Sequence, residues 1–173
     1  MSGNKNETLK RVRTLTWEDP KISARNADSM SGIDYLRAIK NGQIAAPPAA
    51  KLVGYRIADV ESGRAVFKLI PAEYHYNPFA TVHGGIASTI LDTTLTAAVL
   101  STLPAGQGCS TLEIKVNFIR PITQETGELR CEAGIIHAGK RIATAAGQLM
   151  DGNQKLYAHA TGTCLIFETP KRP

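Results

Sequence analysis

The sequence contains few cysteines, few aromatic residues and no long uninterrupted apolar run. Its three cysteines, Cys109, Cys131 and Cys164, lack Cys-x-x-Cys spacing, which argues against a disulfide framework and predicts reduced, buried thiols in a cytoplasmic protein. The four histidines also lack the spacing of metal ligands, so we predict no metal site. The most apolar stretch, residues 86–103, contains an aspartate and several hydroxyl groups, which makes it too polar for a membrane span.

A large excess of charge is absent as well. The 20 Lys and Arg residues exceed the 15 Asp and Glu residues by five, and they are scattered without forming a basic stripe, so nucleic acid is not an expected partner. A small polyanionic ligand is compatible with this charge. The first 17 residues, MSGNKNETLKRVRTLTW, contain no apolar core, so no secretion signal is expected.

The length of 173 residues predicts one domain, which we divide into an N-terminal extension, residues 1–50, and a main domain, residues 51–168. Within the extension, the segment SGIDYLRAIKNG predicts a short helix that starts at Ser31 and stops at Gly42. A short strand is expected near residues 12–17. The following IAAPPAAKLVG segment predicts an extended turn, because its two prolines disfavour helix.

Beyond the extension, the periodicity predicts two strands, one long helix and four more strands. LVGYRIADV and RAVFKLI form the first two strands, and residues 86–101 have the apolar spacing of a helix. The segment CSTLEIKVNFIRP alternates, with Leu112, Ile114, Val116 and Phe118 predicted on one face. One helix cannot cover a parallel sheet, so the expected fold class is α+β, an antiparallel sheet wrapped around one long central helix.

The start of this helix contains two glycines, in the sequence His83-Gly84-Gly85. The first N–H groups of a helix have no internal partner and lie at the positive end of the helix dipole. They can polarise a carbonyl oxygen that becomes negative during a reaction. A tight turn that requires glycine explains the pair equally well.

A single carboxylate lies within the helix. Ser88, Asp92 and Thr96 are four residues apart and share one narrow polar face. No Lys or Arg occurs between Lys68 and Lys115, so the local sequence offers no cation to a group that is costly to bury alone. Asp92 is either bonded to Ser or Thr hydroxyl groups, or it is a general base or nucleophile; the pattern favours the second interpretation.

These features occur together in the segment NPFATVHGGIASTILDTT, which has Asn77, His83, Gly84 and Asp92 at fixed spacing. The segment resembles the motif of the hotdog-fold acyl-CoA thioesterases, in the phenylacetic acid degradation-related (PaaI-like) group. The resemblance covers about residues 52–167 and includes CSTLEIKVNFIRP and the last two strands. The leader GIDYLRAIKNGQIAAPPAAKLVGY is also similar to that of bacterial members.

The resemblance implies a catalytic site shared by two subunits, so a homodimer is required and a homotetramer is expected. Gly84 N–H would polarise the thioester carbonyl, and Asp92 of the other subunit would activate water or attack the carbonyl directly. Asn77 and His83 would orient the reacting groups. Ser110 would form a hydrogen bond near the carboxylate or the water.

The substrate implied by the resemblance is an acyl-CoA, and no separate cofactor is expected because coenzyme A is part of the substrate. Predicted substrate-binding residues are Gly85, Thr111, Arg120, Lys140 and Arg141. The three basic residues are candidates for the phosphates of coenzyme A, and a solvated surface charge is an equally good interpretation of each. Aromatic, short-chain and medium-chain acyl groups are all compatible with the motif.

The same residues are compatible with two other functions. A hydratase or dehydratase acting on acyl thioesters, and a non-catalytic acyl-CoA-binding subunit, are the alternatives; an aspartate that follows His-Gly-Gly on the long helix favours hydrolysis over both.

The segment GIIHAGKR imitates a phosphate-binding P-loop, but Arg141 stands where that motif requires Ser or Thr. We therefore interpret Gly139 as part of a turn between two strands.

Overall fold

A six-stranded antiparallel sheet wraps around one long helix in the computed structural model, which describes residues 10–169. The strands are β1 Tyr55–Glu61, β2 Arg64–Leu69, β3 Gln107–Phe118, β4 Leu129–Ala138, β5 Ile142–Met150 and β6 Leu156–Glu168. The helices are α1 Pro20–Ser29, α2 Gly32–Lys40, α3 Pro48–Val53 and α4 Gly84–Leu100. The strand order is β1-β2-β4-β5-β6-β3, with every neighbouring pair antiparallel. The predicted α+β class and the order of elements after residue 54 are confirmed.

The core lies between α4 and the concave face of the sheet. Helix α4 contacts all six strands, and its side chains Ile90, Leu91, Ala98 and Val99 are fully buried. Each large aliphatic side chain buried in this way contributes roughly 1.5–3 kcal/mol of transfer free energy. The buried Thr94 hydroxyl donates to the Ile90 carbonyl at 2.6 Å, so it leaves no unpaired polar group in the core. The fold thus fixes the rotation of α4 and the direction of its one polar face.

The two edge strands, β1 and β3, do not pair with each other. Helix α2 contacts β1 and α4 beside this opening, and α3 contacts β1. The predicted helix in SGIDYLRAIKNG is confirmed as α2, where the Ser31 hydroxyl accepts a hydrogen bond from Asp34 N–H at 3.3 Å. The gap between the sheet edges is therefore flanked by part of the N-terminal extension.

Two expectations about the extension and the segment after it are wrong, and one helix was not predicted. Residues 12–17 contain no strand, and the polar segment before α2 includes a helix, α1, that the sequence pattern did not indicate. The segment predicted as an extended turn contains α3, because Pro48 occupies the first helical position, where its fixed φ is favourable and its missing N–H costs nothing. As a result β1 begins at Tyr55, three residues later than expected. Residues 1–9 of the predicted extension lie outside the described residues.

Strand β3 departs from strict alternation. Its register with β6 shifts between Thr111 and Glu113, which is the signature of a β-bulge. Leu112 is 58% exposed, so it does not share a buried face with Ile114 and Val116, which pack against the core. The bulge therefore changes which side chains at the start of β3 face α4.

The β4–β5 connection is a hairpin with Gly139 N–H bonded to the Ile142 carbonyl at 2.9 Å, as expected for this segment. None of the helices in residues 10–169 is long and apolar enough to cross a lipid bilayer.

Candidate active site

The loop before α4 is organised by one asparagine. The Asn77 side-chain oxygen accepts from Phe79 N–H at 2.9 Å and from Thr81 N–H at 3.3 Å, and its amide nitrogen donates to the Thr81 hydroxyl at 3.0 Å. These bonds close the turn and hold Ala80 at φ 56°, a conformation that is rare for a residue with a side chain. Asn77 therefore determines the path of the chain as it enters the helix.

His83 is the N-cap of α4. Its Nδ1 accepts from Gly85 N–H at 2.9 Å, and its own N–H donates to the His75 carbonyl at 2.8 Å. The first N–H of the helix belongs to Gly84 and has no hydrogen-bond partner in residues 10–169. Of the two glycine N–H groups at the positive end of the helix, Gly84 N–H is thus the one open to a ligand.

Asp92 is half-buried on α4 and contacts the neighbouring strand. One carboxylate oxygen, Oδ1, accepts from the Thr111 hydroxyl at 2.6 Å. Because the single Thr111 proton is used in this bond, the Thr96 hydroxyl, 3.1 Å from that of Thr111, donates to it. In the described part of the chain Asp92 has no ion pair, and its Oδ2 has no hydrogen-bond partner. The carboxylate is held by one oxygen and leaves the other available.

A cavity of about 670 Å³ adjoins this carboxylate. Asp92, Thr93 and Thr96 form part of its floor, with Ser110 and Thr111 beside them. The remaining lining is contributed by α4, by the start of β3, by β1 and β2, and by the extension. The volume is within the range of roughly 300–1,000 Å³ that small-molecule sites occupy. The Asp92 carboxylate therefore borders a space that is large enough for a small-molecule ligand.

The sequence matches the family model of the Thioesterase superfamily over residues 79–158. A phenylacetic acid degradation-related protein from Ralstonia eutropha is 30% identical in sequence, and its structure superposes with a TM-score of 0.69 over 76% of this chain and 98% of that one. The chain belongs to the thioesterase superfamily. The resemblance found in the sequence is confirmed, and thioester hydrolysis is the general activity of this superfamily.

Two further relatives are similar to this thioesterase. The 1,4-dihydroxy-2-naphthoyl-CoA hydrolase of Listeria monocytogenes is 26% identical over 120 residues, which cover 69% of this chain and 94% of the relative. The PaaI protein from the phenylacetic acid degradation operon of Escherichia coli is 23% identical and shares the fold, with a TM-score of 0.68 over 80% of this chain and 96% of that one. The predicted hotdog fold is confirmed by these neighbours.

In one chain of the thioesterase, the predicted site residues fall into two groups. Asn77, His83 and Gly84 lie at the start of α4, whereas Asp92 is eight residues further along the helix. At 1.5 Å per residue this places the Asp92 backbone roughly 12 Å from that of Gly84. The structure brings Thr111 into contact with Asp92, and Ser110 is exposed on the cavity rim.

The three predicted phosphate-binding residues are not among those that line the cavity. Arg120 follows β3 and donates to the Leu156 carbonyl at 2.6 Å, while Lys140 and Arg141 lie in the β4–β5 hairpin. The basic residues that do border the cavity are Lys40, Lys51 and Arg56, which lie in α2, α3 and β1. These three residues could not be selected from the sequence, because no local sequence pattern indicates that α2 packs against α4.

The thioesterase has free thiols beside the site. Cys109 borders the cavity, and Cys164 is buried opposite Thr111 on β6. The hydrogen bond to Cys164 and burial raise the pKa of the Cys109 thiol, and burial raises the pKa of the Cys131 thiol to about 12. Protonated thiols such as Cys109 and Cys131 are poor nucleophiles. The hydrogen bond with Cys109 lowers the pKa of the Cys164 thiol to about 7, but Cys164 is buried and does not line the cavity, so Asp92 is the group available to a ligand there. No cluster of three His, Cys, Asp or Glu suited to a metal occurs in residues 10–169.

Proposed function

We propose that this thioesterase hydrolyses an acyl-CoA to the free carboxylic acid and coenzyme A. The observation that supports the proposal most strongly is the Asp92 carboxylate at the cavity, with Oδ1 bonded to Thr111 at 2.6 Å and Oδ2 open. The relative named as a naphthoyl-CoA hydrolase supports a coenzyme A thioester as the substrate class. Arg120, Lys140 and Arg141 remain our candidates for contacts with its phosphates, reached from outside the cavity.

The proposed reaction takes place between two copies of the chain. Gly84 N–H and Asp92 are too far apart along one helix to act on the same carbonyl carbon, so the amide of one protomer is proposed to face the carboxylate of its partner. The free edge of β3 supports this pairing, since Leu112 and Phe118 are more than half exposed on it. A long apolar edge strand is a surface on which a second copy can pair.

Two routes fit the position of Asp92. As a base, Asp92 takes a proton from water while the water oxygen attacks the thioester carbon. As a nucleophile, it attacks that carbon itself and forms an anhydride that water then cleaves. In both routes the carbonyl oxygen becomes negative, and the partner's free helix N-terminal amide stabilises it. The coenzyme A sulfur leaves as a thiolate and takes up a proton.

The remaining residues of the motif are assigned supporting roles. Asn77 is proposed to hold the loop, and His83 to occupy Gly85 N–H so that the free donor is Gly84 N–H. Thr111 and Thr96 orient the carboxylate through their chain of hydrogen bonds. We further propose a cytoplasmic enzyme that assembles as a homotetramer of such dimers.

The direct test is release of free thiol from a panel of acyl-CoAs by Asp92→Asn and Asp92→Ala variants. Loss of a positioned base or nucleophile is expected to lower kcat by about 10²-fold or more, with the melting temperature little changed. The matched control is Glu18→Gln. Glu18 is an exposed carboxylate that is distant from Asp92 in the sequence, so this variant should retain wild-type rates. Binding without thiol release from any substrate by the wild-type protein would contradict the proposal, as would hydration of an enoyl-CoA alone.

Single-turnover hydrolysis in H₂¹⁸O, with enzyme in excess, identifies the nucleophilic route when water cleaves the anhydride at the Asp92 carbonyl; cleavage at the acyl carbonyl labels the released acid as the base route does. A base mechanism puts the label in the released acid. In the nucleophilic route, water can add to the Asp92 carbonyl of the anhydride. The carboxylic acid released in that turnover is then unlabelled, and Asp92 carries ¹⁸O, which peptide mass spectrometry detects.

A further inference from the structure

The N-terminal extension forms a wall of the cavity that adjoins Asp92. Helix α2 contributes Tyr35, Leu36 and Ile39, and residues 46–51 contribute Ala46, Pro47, Ala50 and Lys51. These residues precede the segment matched by the family model, which begins at residue 79. The wall therefore lies outside the segment that the family model matches.

Close contacts fix the wall to the main domain. A Cβ on Gly32 would lie 1.8 Å from the Leu100 carbonyl oxygen, so the first turn of α2 packs against α4 backbone to backbone. Gly32 N–H also donates to the Leu103 carbonyl at 3.0 Å. At the other end, the Val53 carbonyl is bonded to the buried His75 ring at 2.8 Å. Both ends of the α2–α3 segment are thus anchored, and its lining side chains have fixed positions.

The lining changes in character with distance from Asp92. Near the carboxylate it is formed by hydroxyl side chains, Thr93, Thr96 and Thr111. Further along α4 it is formed by Ala97 and Leu100, and the other apolar side chains of the lining include Leu36, Ile39 and Phe67. The Tyr55 hydroxyl lies at the polar end, where it accepts from Thr93 at 3.4 Å. The Leu100 backbone is eight residues, or roughly 12 Å, beyond that of Asp92. The polar end suits a reacting thioester, and the apolar end suits a hydrocarbon.

The charges around the cavity do not select an acidic acyl group. Lys40 is paired with Asp59 at 3.2 Å and Arg56 with Glu128 at 2.6 Å, and Lys51 is exposed. An ion-paired cation at a rim offers little to a second carboxylate. The interior therefore favours an uncharged, apolar acyl group that spans its length.

We infer that α2 and residues 46–51 form the acyl-binding wall of this enzyme, which selects medium-chain apolar acyl groups over acetyl and butyryl groups. The inference rests on the proposed acyl-CoA hydrolysis and adds to it the substrate class and the element that determines it. A short acyl group leaves the apolar end unfilled and forgoes its contact energy. A longer chain fills the space between α4 and α2 until it meets Leu36 and Ile39.

The test is the chain-length profile of kcat/KM, measured on acetyl-, butyryl-, hexanoyl-, octanoyl- and dodecanoyl-CoA. Ala46→Phe places a ring in the cavity and should lower kcat/KM for octanoyl-CoA by about tenfold or more, the scale for a mismatch of one or two methylene groups in an apolar pocket. The value for butyryl-CoA should stay within about threefold. Ala49→Phe is the matched control, because Ala49 is exposed and does not border the cavity.

Ile39→Ala removes side-chain volume from the same wall and so enlarges the cavity. It should shift the highest kcat/KM to a longer acyl chain. The two cavity variants thus shift the profile in opposite directions, and either one is informative if the other does not fold. An active wild-type enzyme that prefers acetyl-CoA, or whose profile both variants leave unchanged, would overturn this inference alone. Absence of thiol release from every substrate would instead overturn the proposed function.

Discussion

The start of α4 and the surroundings of Asp92 are built by contacts of different range. The Asn77 and His83 side chains bond to groups two to four residues away, so most of the contacts of this half of the site lie within one short segment. Asp92 is held by Thr111, 19 residues further along the chain, and its cavity is closed by residues 35–57. The first half thus depends mainly on side-chain bonds within its own segment, whereas the second depends on contacts between elements that are distant in the sequence.

The local half is most sharply tested by removing one N–H group. Gly84→Pro eliminates the free amide at the first helical position, where proline fits, and His83 at ψ 134° already has the backbone that a following proline requires. We expect kcat to fall by about 10²–10³-fold, the cost of losing one donor to a developing oxyanion. Thiol release under substrate saturation measures this.

Gly84→Ala is the control, because it keeps the N–H and adds a Cβ. That Cβ would lie 3.2 Å from the Phe118 ring, and this half-exposed side chain can move slightly. The alanine variant should keep most of the activity. Equal losses in both variants would mean that bulk, and not the amide, matters at this position.

The assembled half is tested by disturbing α2. Gly32→Ala puts a methyl group 1.8 Å from the Leu100 carbonyl oxygen, and neither backbone can yield easily. Overpacking of this kind costs about 1–3 kcal/mol of unfolding free energy, which urea denaturation measures. Gly152→Ala has nothing within 4 Å of the added Cβ and should change stability by less than about 0.5 kcal/mol. A neutral Gly32→Ala would show that α2 is not anchored on α4.

A smaller effect is expected at His75, which joins the two halves. Its Nδ1 accepts from Ala72 N–H at 3.1 Å, so Nε2–H donates to the Val53 carbonyl; burial, together with the charge of Arg13, lowers the pKa of His75 below 6.5. Between the lowered pKa of folded His75 and 6.5 the unfolded chain therefore binds a proton that the folded chain does not, so stability rises with pH across this window.

The measurement is unfolding free energy between pH 5 and 7. The contribution of His75 is a positive slope of at most about 1.4 kcal/mol per pH unit, which His75→Gln should remove and His137→Gln, at an exposed histidine, should leave in place. A slope that survives in His75→Gln would assign it to other groups.

The difference in contact range also explains what the sequence could predict. Helix α4, its glycine start and the position of Asp92 are visible because apolar periodicity and a short motif are local signals. The partner of Asp92 was not predictable in the same way. Strict alternation groups Ser110 with Leu112 and Ile114, but the bulge shifts the pattern by one residue, so that Thr111 and Ile114 both face α4.

The extension shows the same limit of local pattern. The Pro47-Pro48 pair disfavours helix before it but permits one that begins at its second member, and only the contacts of α3 with β1 decide in favour of helix. The role of α2 as a cavity wall depends on the close approach of Gly32 to Leu100, a contact between residues 68 positions apart in the sequence. The helical conformation of α3 and the position of α2 therefore cannot be predicted from the spacing of neighbouring side chains.

The most direct test of the shared site is a heterodimer of Asp92→Ala and Gly84→Pro chains, purified through two different affinity tags. Each homodimer should be nearly inactive. In the heterodimer the intact Asp92 of one chain faces the intact Gly84 amide of the other at one of two sites, so about half of the wild-type activity per dimer is expected. A purified heterodimer as inactive as its parents would contradict the account.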